Sequence, residues 1–176
     1  MSPSPAPVRC AADALAVIAM ALSRPLAHET ICFALDVHGV GGVAVAIDGT
    51  DQPDDVLDVV GIIGRAANST PATSLVVASV RPDGDLLVGD DLRWHLASAI
   101  ARDHSLELLE WFVIGAGCRV HMPRDLTGDA MKWDVLADPD ARPPGAAAVL
   151  GLHESVDVLH RRAGFDQPNS AVGFTT

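Results

Sequence analysis

Residues 73–115, TSLVVASVRPDGDLLVGDDLRWHLASAIARDHSLELLEWFVIG, decide the fold of this chain. Residues 75–80 form a continuous apolar run, rich in β-branched side chains, that Pro82 and Gly84 close. This pattern is typical of a strand buried on both faces of a sheet. A helical pattern follows, and residues 106–114 form a second apolar run. Strand, loop, helix and strand make one crossover unit, which predicts an α/β domain.

The helix inside this unit begins where Asp90 or Asp91 can cap its N-terminus. Apolar residues recur along it at helical spacing, and we expect them to face the sheet: Leu92, His95 or Leu96, Ala99 and Ile100. The loop of residues 79–91 leaves the C-terminal end of the first strand, which is the usual place for a site in such units. The functional residues are therefore expected in this loop.

The remaining pattern adds two helices and a hairpin to the unit. Residues 11–22 predict a helix, with a stripe of Leu15, Ile18, Ala19 and Leu22. Residues 30–35 and 42–47 predict two strands joined by a glycine-rich turn. Pro53 begins a helix with a buried stripe of Val56, Val59, Val60 and Ile63, and residues 117–122 add a short edge strand. The predicted fold class is α/β, a three-layer mixed sheet flanked by helices.

The chain is expected to contain one domain with an extension at each end. Residues 1–8 hold three prolines and predict a disordered lead, and residues 9–123 carry the α/β pattern. Residues 124–176 predict a Pro/Asp-rich extension that lies on the domain, with Trp133 as its large anchor, one helix over residues 146–162 and a frayed tail.

Composition and charge exclude several classes of function. The formal net charge of −11 argues against a nucleic-acid-binding protein and against docking on anionic lipid. No apolar run approaches the roughly 20 residues of a membrane span, and no convincing signal peptide begins the chain. Cys10, Cys32 and Cys118 are widely spaced without a C-x-x-C pair, so we expect reduced thiols in a cytoplasmic protein. The single lysine among frequent arginines is typical of a high-GC bacterial genome.

Four stretches together resemble the RadC-like branch of the JAB/MPN (JAMM) family. Residues 33–36, FALD, resemble the end of the family's first strand, and residues 48–50, DGT, resemble the close of its second. Residues 75–85, LVVASVRPDGD, resemble the strand that runs into His-x-His-Pro-Ser-Gly-Asp, and residues 111–115, WFVIG, resemble the strand that closes the core. The resemblance covers residues 12–122. It implies a JAB/MPN fold of the cytidine deaminase-like type and a relation to zinc hydrolases.

The sequence departs from the family at the metal ligands. The family motif H-x-H-x(10)-D gives two imidazoles and a carboxylate to zinc and leaves one coordination position for the reactive water. Ser79 and Arg81 stand at the two histidine positions, followed by Pro82, and Asp90 or Asp91 can replace the aspartate only with a shorter loop. A guanidinium does not lose its proton in a protein, so Arg81 is no ligand. The sequence therefore predicts no metal and no other cofactor.

Further family residues are absent as well. The second strand, residues 42–47, contains no acid that could accept the proton of a zinc-bound water, and the family's serine position falls near Gly89. The late His-Asp-His of RadC is replaced by residues 109–111, LEW. The resemblance therefore implies a degenerate member of the family, and these losses argue against an enzyme.

Two roles remain open for the replaced site. Arg81 can fill the vacated cation position and pair with a loop aspartate, which holds the loop to the start of the helix. Alternatively, Arg81 and Ser79, with Arg93 adding charge, contact an anion or a protein partner. Trp94 and Trp111 either form an exposed pair suited to an interface, or are covered by the predicted extension.

The spacing of the other glutamates and histidines in the sequence indicates neither a catalytic pair nor a metal site. Glu107 and Glu110 flank an apolar strand, and we interpret them as one solvated edge. His95 and His104 lie nine residues apart, and His153 and His160 lie seven apart, so we interpret the histidines as neutral surface or half-buried side chains.

The sequence thus predicts a non-catalytic JAB/MPN-like domain that acts as a protein interaction or regulatory module, with a protein partner or a homodimer. The alternatives are a divergent metal-dependent hydrolase or peptidase of the JAMM class, and a DNA-repair-associated RadC-like protein. The latter rests on fold analogy alone and conflicts with the charge.

Overall fold

A computed structural model describes residues 7–133 of the chain. The helices and strands follow one another in the order α1 (Ala11–Ala21), β1 (Glu29–Asp36), β2 (Gly41–Asp48), α2 (Asp55–Ala67), β3 (Ala72–Val80), α3 (Asp90–Asp103), β4 (Glu107–Ile114) and β5 (Val120–His121). Two 3-10 segments, Ala116–Cys118 and Pro123–Leu126, flank β5.

The strands form one mixed five-stranded sheet in the order β2-β1-β3-β4-β5. β1 pairs antiparallel with both β2 and β3, β3 pairs parallel with β4, and β5 adds an antiparallel edge to β4. The parallel pair β3–β4 with α3 between them is the predicted crossover unit, and the hairpin β1–β2 is the predicted hairpin. The prediction of a mixed α/β sheet is confirmed.

The core has two halves, one on each face of the sheet. Along β3 successive side chains alternate between them, with Leu75 and Val77 on one face and Val76 and Ala78 on the other. The first half packs against α2 and α3, and the second packs against α1. β3 is buried on both faces, as its continuous apolar run predicts, and the domain has three layers.

The stripe of α2 is confirmed, since Val56, Val59, Val60 and Ile63 are all buried. Most of the stripe predicted for α1 is buried as well, whereas Leu15 is only partly covered. These helices follow the simple rule that the apolar face meets the sheet.

The face predicted for α3 is wrong for Leu92 and Leu96, although Ile100 packs against the core as expected. Leu92 and Leu96 are 59% and 43% exposed, and Trp94 lies buried on the opposite side of the helix. Ala97 and Ala101 complete the buried face. The helix is rotated in this way because burial of the large indole removes much apolar surface from water, and small alanines let the helix approach the sheet.

The start of α3 also differs from the prediction. The capping position is Gly89, with φ at +87°, and neither Asp90 nor Asp91 caps the helix. Asp90 is instead the first helical residue and is fully buried, whereas Asp91 is exposed. A positive φ favours glycine, so the chain turns into the helix at the one residue that tolerates the conformation without strain.

Both ends of the described chain pack on the domain. Val8, which the sequence places in the predicted lead, is buried, and its N–H donates to the Gly39 carbonyl at 2.8 Å. Trp133, the predicted anchor, is buried in the half of the core that contains α1. Residues 1–6 and 134–176, with the helix predicted at 146–162, lie outside the described residues. Within residues 7–133 no helix has the length and apolarity to cross a membrane.

Candidate functional site

The loop between β3 and α3 is fixed at the end of the sheet by backbone contacts. The N–H of Arg81 donates to the Ile114 carbonyl at 2.8 Å, which continues the β3–β4 pairing by one residue. Gly115 then passes so close to the loop that a Cβ there would collide with the Gly84 carbonyl oxygen. The loop therefore depends on a glycine at position 115, which directly follows the second apolar run of the sequence.

Arg81 and Asp90 form a two-pronged ion pair inside this loop. Arg81 Nη1 donates to Asp90 Oδ2 at 2.6 Å, and Nη2 donates to Oδ1 at 3.1 Å. The side chain of Arg81 is 10% exposed and that of Asp90 is fully buried. The parallel fork of hydrogen bonds suits the planar guanidinium and ties the end of β3 to the first residue of α3. This is the pairing with a loop aspartate that the first interpretation of the sequence predicts.

The carboxylate of Asp90 is saturated with donors. In addition to Arg81, it accepts hydrogen bonds from the Leu87 N–H at 2.7 Å and from Arg93 Nη1 at 3.3 Å. Arg93 reaches in the other direction to Asp54 Oδ1 at 2.7 Å, which connects α3 to the start of α2. Four donors therefore surround one buried carboxylate, as a buried charge requires.

Ser79 and Trp111 form the floor under Arg81. Trp111 Nε1 donates to Ser79 Oγ at 3.0 Å, and the Arg81 guanidinium lies over the indole, 5.7 Å from its centroid. A cation in this position is attracted by the electron-rich face of the ring. Trp111 is fully buried, so a partner at the surface meets Arg81 before it meets the tryptophan.

Trp94 and Trp111 are both buried, so the expectation of an exposed tryptophan pair is wrong. The alternative, that the predicted extension covers the tryptophans, is correct for Trp94. The segment after β5 lies across α3, where Asp129 Oδ2 accepts a hydrogen bond from Trp94 Nε1 at 2.7 Å. Lys132 Nζ lies 5.5 Å from the centroid of the same ring. The hydrogen bond from Trp94 is the main reason that the pKa of Asp129 is lowered.

The structure thus brings together most of the residues that the sequence singles out. Ser79, Arg81, Asp90, Arg93 and Trp111 form one connected network. Asp91 lies outside it, exposed on the surface of α3, and Pro82 is half-buried at the start of the loop.

A cleft of about 180 Å³ opens beside the network. Arg81 and Ser79 contribute to its wall together with the carboxylates Asp51 and Asp83. The remaining lining residues are His28, Thr30, Thr50, Gln52, Pro53, Val56, Gly84 and Leu87. The one guanidinium is already paired with Asp90, so the two aspartates give the cleft a negative balance. This charge disfavours the anion contact that the second interpretation of Arg81 requires.

A second buried ion pair joins Arg124 to Glu110, and the sequence does not predict it. Arg124 Nε donates to Glu110 Oε2 at 3.0 Å, and both side chains are almost fully buried. Burial raises the pKa of Glu110, and the arginine partly opposes this rise. The prediction of a solvated edge is therefore wrong for Glu110, although Glu107 is exposed. The available signal is an acid at the centre of an apolar strand, which demands a buried cation.

Arg81 and Asp90, which the resemblance compares with metal ligands, do not fit a zinc ion. Arg81 carries a fixed positive charge there, and its donors already occupy the carboxylate of Asp90. Within the described part of the chain, no group of three or more histidine, cysteine, aspartate or glutamate side chains is placed to hold a metal.

Comparison of the sequence with models of known protein families and with curated proteins finds no match.

Proposed function

We propose that this chain is a degenerate RadC-like JAB/MPN domain that has lost catalysis and acts as a protein interaction module in the cytoplasm. The observation that carries the proposal is the Arg81–Asp90 pair, which joins the residue aligned with the second ligand histidine to a candidate for the ligand aspartate. In this arrangement the guanidinium of Arg81 takes the place of the metal ion of the family. The guanidinium neutralises the carboxylate as a metal would and leaves no position for a reactive water.

The surface beside the replaced site supports a role in interaction. Leu87, Val88, Leu92 and Leu96 are large apolar side chains that are all exposed, and we call them the α3 patch. Leu92 and Leu96 are one helical turn apart and therefore adjacent on the outer face of α3, whereas Leu87 and Val88 lie in the loop that leads into the helix. Clustered apolar side chains of this kind mark interaction sites more often than scattered ones do.

The rim of the α3 patch is acidic. Asp54 contacts Arg93 on α3, Asp51 and Asp83 line the same cleft as Leu87, and Asp91 is exposed beside Leu92. Together with the net charge of −11, this rim favours a partner of opposite charge. The partner that fits is a protein helix with an apolar face flanked by lysine or arginine.

Site-specific photocrosslinking in the native host tests the interaction. A photoreactive amino acid replaces Leu92 in the α3 patch or, as the matched control, Ile62, which is exposed to a similar extent on α2. We expect position 92, and not position 62, to give a discrete adduct with a second protein. Mass spectrometry of that adduct should place the crosslink in a helix of the partner that has an apolar face flanked by lysine or arginine. Adducts of equal yield from both positions, or adducts with this chain alone, would contradict the proposal.

Elemental analysis of the purified chain tests the loss of catalysis. We expect no stoichiometric zinc, either in the natural chain or after Arg81→His, because that change supplies only one imidazole. About one zinc per chain that is lost on Asp90→Ala would instead support the alternative of a divergent hydrolase.

A further inference from the structure

The edge strand β2 carries an inference that is independent of the α3 patch. β2 lies at one end of the sheet, and within residues 7–133 it pairs with β1 alone. Its outer edge therefore presents unpaired backbone N–H and carbonyl groups. The strand has one irregularity, a register shift at Gly42 near its start, and residues 43–48 pair regularly with β1.

Within residues 7–133, this edge has little of the usual protection against pairing. Natural edge strands are blunted by lysines, prolines, inward charges, bulges or a covering segment, and of these the described residues of β2 show only the irregularity at Gly42. Residues 41–47, GGVAVAI, carry neither charge nor proline, and the space where side chains would project at Gly41 and Gly42 is open. Ala44 and Ala46 point to the same face of the sheet as α1. Neither belongs to the core on that face, and both are exposed. Among residues 7–133 no other strand pairs with this edge, so it can accept a second strand.

The sequence of β2 is complementary to itself about Val45. In an antiparallel pair, residues opposite each other point to the same face of the sheet. With Val45 opposite its own copy, Val43 faces Ile47 and Ala44 faces Ala46, so that large apolar residues meet on one face and small ones meet on the other. We propose that a second copy of this chain pairs with β2 in this register and extends the sheet to ten strands across a twofold axis.

Charge also favours this edge for self-association. Two copies with a net charge of −11 repel each other, so contact requires an uncharged surface. The first charged side chain along the edge is Asp48, which lies opposite Gly42 of the second copy in this register. The two Asp48 residues are six positions apart along the paired strands, or roughly 20 Å. That separation exceeds the screening length of about 10 Å at 0.1 M ionic strength.

The packing around β2 supports the pairing but limits its strength. Val43, Val45 and Ile47 are only partly covered by the half of the core that contains α2, and pairing would bury them further. A single strand pair buries less than the roughly 1,200 Å² of a standard stable interface. The expected dimer is therefore weak and depends on concentration, with a dissociation constant in the micromolar range or above.

The register is tested with charges placed at the exposed alanines. In the variant Ala44→Lys/Ala46→Lys, each introduced lysine faces a lysine of the second copy. In the matched variant Ala44→Lys/Ala46→Glu, each lysine faces a glutamate. Sedimentation velocity of the full chain over a wide concentration range measures dimerisation. We expect a dissociation constant about tenfold higher for the double-lysine variant than for the lysine–glutamate variant, because two like-charged pairs replace two attractive ones.

The controls separate this edge from other causes of association. Thermal unfolding establishes that each variant is folded, and Ala44→Glu/Ala46→Glu repeats the like-charge test if the lysines destabilise the chain. A natural chain that stays monomeric at all concentrations overturns the proposal. So does a dimer that responds equally to both variants, or one that is lost on Leu92→Asp but not on Ala44→Lys/Ala46→Lys. Pairing through β2 leaves the crosslink from position 92 to another protein unchanged.

Discussion

Replacing Arg81 with alanine tests how much the buried Arg81–Asp90 ion pair contributes to stability. The change leaves Asp90 fully buried without its two-pronged partner. Breaking a buried pair from one side destabilises a protein by about 3–5 kcal/mol, because the remaining charge is uncompensated. Here Asp90 keeps the hydrogen bonds from the Leu87 N–H and from Arg93. Because two of the four donors remain, we expect a loss of about 2–4 kcal/mol in the free energy of unfolding.

A double-mutant cycle assigns this loss to the pair. Asp90→Asn in the Arg81→Ala chain removes the uncompensated charge, so the double variant should be more stable than the sum of the single effects by about 1–3 kcal/mol. Urea unfolding of the four chains gives the required free energies. Arg102→Ala is the matched control, since Arg102 is exposed near the end of α3 and donates to the Ser98 carbonyl at 3.2 Å. Its effect should stay within about 0.5 kcal/mol.

The result that refutes this reasoning is an Arg81→Ala chain as stable as the natural one. If that chain also loses binding to an anion or a partner, Arg81 is a contact residue and the structural account of the pair is wrong. Additive effects of Arg81→Ala and Asp90→Asn would likewise show that the two side chains do not act together.

Three further predictions follow from buried or charged groups. Because burial raises the pKa of Glu110 when the chain is folded, the folded state holds its proton more tightly, and stability falls as pH rises from the usual carboxyl value through the raised pKa. In Glu110→Gln, the free energy of unfolding should decrease less over this pH range than it does in the natural chain. An unchanged pH profile would contradict the assignment to Glu110. Burial raises the pKa of the Cys32 thiol, so thiol reagents should modify the half-buried Cys10 and Cys118 first and Cys32 only on unfolding; early labelling of Cys32 would argue against its buried position. Specific binding of duplex DNA that persists at about 0.2 M salt is not expected for a chain of this charge, and a titration monitored by fluorescence anisotropy checks it.

The sequence predicts the sheet better than it predicts the orientation of α3. Runs such as residues 75–80 allow one interpretation, since a strand buried on both faces has no polar side to choose. In α3 two stripes compete, one through Leu92 and Leu96 and one through Trp94 and Ala97. Propensity favours the leucines, but the structure buries the tryptophan stripe together with Asp90, which contacts Arg81. That contact joins residues nine positions apart across a loop, so it cannot be predicted from the spacing of apolar residues along the helix.

The same limit explains why the sequence does not predict the buried ion pair between Glu110 and Arg124. Glu110 looks like a solvated acid because its cation, Arg124, follows it by fourteen residues in a segment of different composition. The turn through β5 brings the two together, and no local pattern encodes that turn. The Arg81 site was predictable because the resemblance to RadC-like sequences draws attention to the position, and because a guanidinium near four aspartates requires a partner among them.

Among the described residues, the two buried arginines, Arg81 and Arg124, each hold an irregular segment against the sheet. Arg81 holds the loop that carries Leu87 and Val88, and Arg124 holds the segment that covers Trp94. Buried ion pairs contribute more to a fixed conformation than to net stability in some proteins, and in this chain the conformations they fix lie beside α3. If the α3 patch binds a partner, the Arg81–Asp90 pair contributes to that binding indirectly, because it sets the position of the loop that presents part of the patch. Arg81→Ala should therefore lower the affinity for a partner that binds at Leu92, even though Arg81 itself does not contact the partner. Arg102→Ala should leave that affinity unchanged.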